Sequence, residues 1–253
     1  MRSFFHFNAL FFREPYMDQY ILIGGTACDL LLDDAGLPFR ATRDLDIVLC
    51  IEVLDEAFVR RFWQFVDDGG YIIKEKAQSQ ARCLYRFAQP AQSSYPAVLE
   101  LFSRRPEIFH GVDLNQITPV AVDENRVSLS AILLDDQYYE FIQAQKIEQA
   151  GLSLLSAPGL IALKAKAWLD LSVRKQNGEA VDGADIRKHK NDVFRMFQIV
   201  EPTSLPDVPE QVRQDMALFL AAMEAEEIDL KQLGIRMAGK PEVLAGLRSI
   251  YCF

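Results

Sequence analysis

Residues 20–49, "YILIGGTACDLLLDDAGLPFRATRDLDIVL", constrain this chain more than any other stretch. The apolar run Tyr20–Ile23 reads as a short buried strand. Gly24-Gly25-Thr26 reads as a turn, with Thr26 placed to cap a helix over 27–34 whose apolar stripe is Cys28, Leu31 and Leu32. A polar loop follows, and then a strand over 45–50 entered through Asp44 and Asp46. Residues two apart on a strand point the same way, with backbone positions about 6.5 Å apart. Asp44 and Asp46 therefore share one face, and Leu45, Ile47 and Leu49 take the other.

Two carboxylates aimed into one space repel, and one of them is driven to keep its proton. A divalent cation removes that penalty, and hard cations such as Mg²⁺ suit carboxylate and phosphate oxygens together. Glu100 adds to the pattern. In "AVLELFS" it shares a strand face with Val98 and Phe102, a costly place for a charge unless it is paired or bound to metal. A strand beside 45–50 would bring Glu100 up to the aspartates, and three carboxylates can hold two metals about 3.5–4 Å apart for in-line phosphoryl transfer. The glycine turn fits the same chemistry. A strand, two glycines and a helix start expose backbone N–H groups and a partial positive charge where phosphates can sit. Taken singly, a Gly-Gly turn, a D-x-D at a strand end and an edge-strand glutamate are each compatible with a purely structural role. Their order along one chain is the more specific signal.

That order resembles the signature of the DNA polymerase β-type nucleotidyltransferase superfamily, in which a glycine turn opens a helix and D-x-D follows one loop later. The form "RATRDLDIVL", with Arg40, Thr42, Asp44 and Asp46, is most similar to the AbiEii/AbiGii toxin-type branch. "LIALKAKAWLDL" and "IRKHKNDVFRMFQIV" resemble that branch's helical region, where a lysine and a downstream aspartate belong to the active site; Lys164 and Asp192 are the matching positions. The resemblance spans roughly residues 20–200. It implies transfer of a nucleoside monophosphate from an NTP to an acceptor hydroxyl with release of pyrophosphate. In that reading Gly24, Gly25 and Thr26 hold phosphates, Arg40 or Arg43 touches them, and Asp44, Asp46 and Glu100 bind Mg²⁺ or Mn²⁺. The superfamily's third carboxylate is usually Asp; Glu100 is one methylene longer, which leaves metal binding and proton acceptance both open to it. The acceptor implied is a tRNA end, a protein or a small molecule, and the branch implies a cognate antitoxin. A catalytically inactive nucleotide-binding or toxin–antitoxin partner module is the alternative.

The rest of the chain sets the frame. A helix is expected over 55–68, stopped by Gly69-Gly70, then strands over 71–74, 83–87, 97–102, 117–122 and 127–134, and a helix over 135–150. From Ser156 the character turns helical, with Pro158 near the first turn of a long helix, a second helix in "ADIRKHKNDVFRMFQIV", a third over 212–227 and a short one beyond. The expected architecture is α+β: a nucleotidyltransferase-like mixed sheet with flanking helices over 1–156, followed by a helical domain over 157–253.

On the first long helix Leu160, Leu163, Ala167 and Leu171 form the expected core stripe. Lys164 flanks that stripe, placed either to reach a triphosphate or to snorkel to the surface, and Lys166 reads as surface. Asp192 sits beside Ile186, Val193, Phe197 and Val200, with Lys188 and Arg195 as ordinary helical partners; the resemblance makes it a base or an orienter of Lys164. Trp63 and Trp168 are expected to fill core.

Cysteines at 28, 50, 83 and 252 show no metal-ligand spacing and read as buried thiols of a reducing cytoplasm. Three scattered histidines do not suit a zinc site. A net charge of −9 gives no global push toward nucleic acid. "MRSFFHFNALFF" lacks the h-region and cleavage site of a signal peptide, and no apolar run approaches the ~20 residues that span a bilayer.

Overall fold

Tyr20–Ile23 forms strand β1 with all four side chains buried, as a strand covered on both faces requires. The computed structural model describes residues 16–50, 52–53, 55–73, 85–102, 135–236 and 238–252. Among them, seven strands make one mixed sheet: β1, β2 (Asp44–Leu49), β3 (Ile72–Ile73), β4 (Tyr85–Ala88), β5 (Val98–Phe102), β6 (Lys146–Gln149) and β7 (Leu152–Leu155), in the order β3-β4-β5-β2-β1-β7-β6. β1 runs antiparallel to β2 and parallel to β7, and β2 runs parallel to β5. β3–β4, β4–β5 and β6–β7 are antiparallel pairs. The expected strands over 117–122 and 127–134 lie outside the described residues.

Helix α1 (Gly24–Asp34) starts directly where β1 stops. Gly24-Gly25-Thr26 is thus the first turn of the helix, not a turn before it. Gly24 makes the change of direction with a φ of +73°, a conformation that only glycine adopts at no steric cost. α2 (Glu56–Gly69) stops at the expected glycines, and Asp55, expected as its first residue, is its N-cap. Asp55 accepts from the Phe58 N–H at 2.8 Å, and Gly70 closes the helix in the left-handed region.

The expected helix over 135–150 is corrected by the structure. α3 (Asp136–Ala144) stops at Gln145, and β6 and β7 follow as a hairpin in register from Lys146↔Leu155 to Gln149↔Leu152. Ala150 and Gly151 both have positive φ, 52° and 76°, which gives the two-residue primed turn that matches strand twist. Alanine in that conformation costs about 1 kcal/mol, and so the sequence carries no ordinary turn signal there. β7 then enters the sheet beside β1, where the Ser153 N–H donates to the Tyr20 hydroxyl at 3.2 Å. β6 forms the sheet's edge and carries Lys146 and Glu148, charges that discourage edge pairing.

The chain divides into two compact units. One holds the sheet, including Lys146–Leu155; the other holds α3 and the later helices. Those helices are α4 (Ala157–Gln176), α5 (Gly183–Phe197), α6 (Glu210–Ala225) and α7 (Lys240–Ile250). Ser156 caps α4 by accepting from the Gly159 N–H, and Asp182 caps α5 by accepting from the Ala184 N–H. Leu160, Leu163, Ala167 and Leu171 are all buried, and Trp168 meets Phe219 edge-to-face at 5.5 Å. Trp63 is half-buried instead of filling core, its ring against Phe62 and Phe87. On α5, Val193 is core as expected, but Phe194 and Met196 complete the buried face while Ile186, Phe197 and Val200 are half-buried. Cys28 and Cys50 are buried; Cys252 is exposed, against expectation.

Candidate active site

Strand register assembles the acidic residues of the sheet. β1 pairs with β2 so that Ile23 lies opposite Asp46, which sets Gly24 against the same residue. A methyl carbon built on Gly24 would fall 1.7 Å from Asp46 Oδ2, so only a bare backbone fits there. On the other side of β2, β5 places Glu100 opposite Asp46 and Val98 opposite Asp44. Asp46 is 8% exposed and Glu100 6%, while Asp44 is half-buried at the strand entrance.

The start of α1 is tied to the start of β2. The Thr26 hydroxyl donates to the Asp44 carbonyl at 2.6 Å and lies 3.4 Å from the Thr42 hydroxyl. Thr26 thus fastens the helix to the D-x-D strand; it does not act as the expected N-cap. A methyl on Gly25 would meet Thr42 Oγ1 at 3.1 Å and an Arg40 guanidinium nitrogen at 3.2 Å. Arg40 is half-buried, its guanidinium carbon 5.0 Å from the Phe39 ring centroid. Arg43 has an exposed side chain, and its carbonyl accepts from the Ala97 N–H at 2.9 Å, which joins the D-x-D loop to the start of β5.

Gly24, Gly25, Thr26, Arg40, Asp44, Asp46 and Glu100 are thus gathered around the interior strands β1, β2 and β5, where β1 ends and β2 begins. Lys164 and Asp192 belong to the helical unit, where α4 and α5 pack together. Lys164 is 6% exposed, so it does not snorkel, and Asp192 is fully buried with Arg195 Nη1 at 3.3 Å from its Oδ1.

Two features escaped the sequence. Arg86 on β4 lies opposite Glu100 and pairs with it, Nε to Oε1 at 3.4 Å. Its signal was present in "LYRFA", where Arg86 alternates with Tyr85 and Phe87, but the register that sets it opposite Glu100 is not written in either strand. Lys166, expected at the surface, is half-buried, with Nζ 3.1 Å from Asp170 and 3.5 Å from Asp215. The Tyr138 hydroxyl donates to Asp215 Oδ2 at 2.9 Å and completes a cluster drawn from α3, α4 and α6. Among the described residues, no three His, Cys, Asp or Glu side chains converge as a ready-made metal cage.

A glycine backbone pressed against the buried Asp46 of a D-x-D, with a glutamate in register beside it, is an arrangement suited to gripping phosphates next to acids. The family model described as "Nucleotidyl transferase AbiEii toxin, Type IV TA system" matches residues 8–237. The chain belongs to the AbiEii nucleotidyltransferase toxin family. No curated protein matches it. The AbiEii match spans both units described above, from the D-x-D strand to the helices that carry Lys164 and Asp192. It makes the mixed sheet with its helices a nucleotidyltransferase-like fold, and it ties the chain to a toxin–antitoxin system. No helix of the described residues is long and apolar enough to cross a membrane.

Proposed function

We propose that this AbiEii-family chain is a metal-dependent nucleotidyltransferase that moves an NMP from an NTP to an acceptor hydroxyl. The acceptor oxygen forms a bond to the α-phosphorus, the bond to pyrophosphate breaks, and the hydroxyl's proton leaves to a base or to water. The observation that carries this reading is the approach of Gly24 to Asp46, which leaves no room for a Cβ. Such bare backbone at a helix start offers N–H donors and a partial positive charge to the β- and γ-phosphates. Gly24, Gly25 and Thr26 are the proposed phosphate grip, and Arg40 and Arg43 the nearby cations that add charge to it.

A hard divalent cation fits the donor set. Mg²⁺ is commonly held by one or two carboxylates together with substrate phosphates, not by an all-protein cage. Asp44 and Asp46 supply two such carboxylates from one strand face. When bound, Mg²⁺ or Mn²⁺ would neutralise charge on the phosphates. The protein's own share is positioning: Thr26 fixes the helix start to Asp44, and strand pairing fixes Asp46 beside Gly24. Lys164 and Asp192 are proposed as catalytic on the family resemblance, to be tested by substitution. A tRNA end, a protein or a small molecule is the proposed acceptor, and a cognate antitoxin the proposed partner.

The test is incubation with Mg²⁺ and each labelled NTP, with total cellular RNA and protein as acceptors. Label transfer or pyrophosphate release is expected, and Asp46→Ala should lower it by on the order of 10³-fold. Tight NTP binding without turnover would instead support an inactive nucleotide-binding module, a reading that the engagement of Glu100 by Arg86 favours.

A further inference from the structure

β5 lies between β4 and β2, and its register sets Arg86, Glu100 and Asp46 in one row across three strands. Side chains directly opposite on neighbouring strands share a face, and neighbouring strands lie about 4.7–4.9 Å apart. Asp46 and Glu100 are both more than nine-tenths buried, so two negative charges at that spacing repel with little help from water. Arg86 flanks Glu100 on the side away from Asp46, and its Nε lies 3.4 Å from Glu100 Oε1. Glutamate has one more rotatable bond than aspartate, so its carboxylate can lean toward either neighbouring strand. Here it is engaged on the β4 side.

We infer that Arg86 is a positioning residue that competes with the divalent cation for Glu100, holding this carboxylate on the β4 side so that Asp44 and Asp46 alone form the resting metal site. The inference rests on the metal site proposed above. The physical reason is charge balance. Arg86 sets a positive charge beside Glu100 on the β4 side, opposite the negative charge of Asp46 on the β2 side. A cation arriving at Asp46 must then draw Glu100 away from a guanidinium before a third carboxylate can join it. A two-carboxylate site binds metal weakly on its own and gains its remaining oxygens from the phosphates of the nucleotide.

The experiment is titration of the full chain with Mn²⁺, without nucleotide, following free Mn²⁺ by electron paramagnetic resonance. Residues just outside a metal site commonly change its affinity by about 10–100-fold, and Arg86→Met is expected to tighten Mn²⁺ by about tenfold. Arg86→Lys should stay near wild type, because the charge opposite Glu100 is kept. In a Glu100→Gln background, Arg86→Met should have almost no effect, since Arg86 acts through that carboxylate. Unchanged affinity in Arg86→Met, or an equal shift in both backgrounds, overturns the inference. Glu100→Gln alone provides a check that needs no change at Arg86: it should leave affinity near wild type, and a loss of about tenfold or more would show Glu100 already on the metal. Asp46→Asn separates the two readings. If Mn²⁺ binding depends on Asp46 but not on Arg86, only this inference fails. If no Mn²⁺ binds, or if binding ignores Asp46, the metal site fails and takes this inference with it.

Discussion

The sheet and the helices each bury a group of charges, and the two groups are built on opposite principles. In the helical unit, Lys166, Asp170, Asp215 and Tyr138 come from three helices, and an ammonium and a phenol close onto two carboxylates. Each member holds another in place, as a pin between helices does. On the sheet, strand register sets Asp46 and Glu100 side by side, and a left-handed glycine presses its bare backbone against Asp46. The helical cluster depends on side chains being present; the sheet cluster depends on one being absent. Burial of charge alone therefore does not mark a functional site. The proposed site rests instead on a glycine main chain with no side chain between it and an acid, at a helix start that can offer N–H donors to an anion.

Removing one carboxylate from the sheet should have the largest effect. Asp46→Ala is expected to lower nucleotidyl transfer by on the order of 10³-fold, comparable to removing one preorganised charge-stabilising group, with far-ultraviolet circular dichroism unchanged. Retained transfer would place the chemistry elsewhere. Gly24→Ala comes next. Its methyl must displace the Asp46 carboxylate and hold a φ of +73°. A shift of about 1 Å in a reacting group costs about 10²-fold in rate, and a non-glycine residue in that conformation costs about 1–2 kcal/mol of stability. Transfer kinetics together with urea unfolding would measure both. A Gly24→Ala chain as active as wild type would remove the contrast between the two clusters.

The elements around this site were largely legible, because they depend on local patterns. Tyr20–Ile23 is uniformly apolar, Asp44 and Asp46 fall on one face by strand period, and Gly69-Gly70 is an ordinary helix stop. Glu100 stood out as a charge among apolar neighbours. Long-range pairing was not legible. Nothing in "LYRFA" says that Arg86 will face Glu100, since register across β4 and β5 is fixed only when the sheet assembles. The β6–β7 hairpin was hidden because Ala150 occupies a turn position that Asn or Gly would have announced. Lys166 was misread as surface because helical period shows which face it is on, not that Asp215 of another helix reaches it.

The helical cluster should fail in a different manner. Asp215→Ala removes the acceptor of Tyr138 and one of the two carboxylates of Lys166, leaving buried polar groups short of a partner at a cost of about 2 kcal/mol. Urea unfolding should show this loss, while transfer per folded molecule stays close to wild type. Loss of transfer at full stability would make the cluster part of the chemistry and reverse its assignment as a pin.

The smallest effect expected is that of Tyr138→Phe, about 1 kcal/mol for one buried hydrogen bond, and it carries a pH signature. Burial pushes the Tyr138 phenol up, and the charge of Asp215 and its hydrogen bond push it further. An unfolded tyrosine releases its proton near pH ~10, so above that point the unfolded chain gains a freedom that the folded chain is denied. Stability from this group is therefore full below about pH 10 and declines as pH rises beyond it. Lys166 acts in the same sense. Burial pulls its ammonium down, but Asp170 and Asp215 together hold it above its ordinary value, so its contribution also fades on the alkaline side. Tyr20, Tyr71 and Tyr251 are raised mainly by burial and decline alongside. The gap in stability between wild type and Tyr138→Phe should thus be constant near neutrality and narrow above about pH 10. A gap that stays constant through the alkaline range would mean that Asp215 does not hold the phenol's proton, and the helical cluster would lose its central bond.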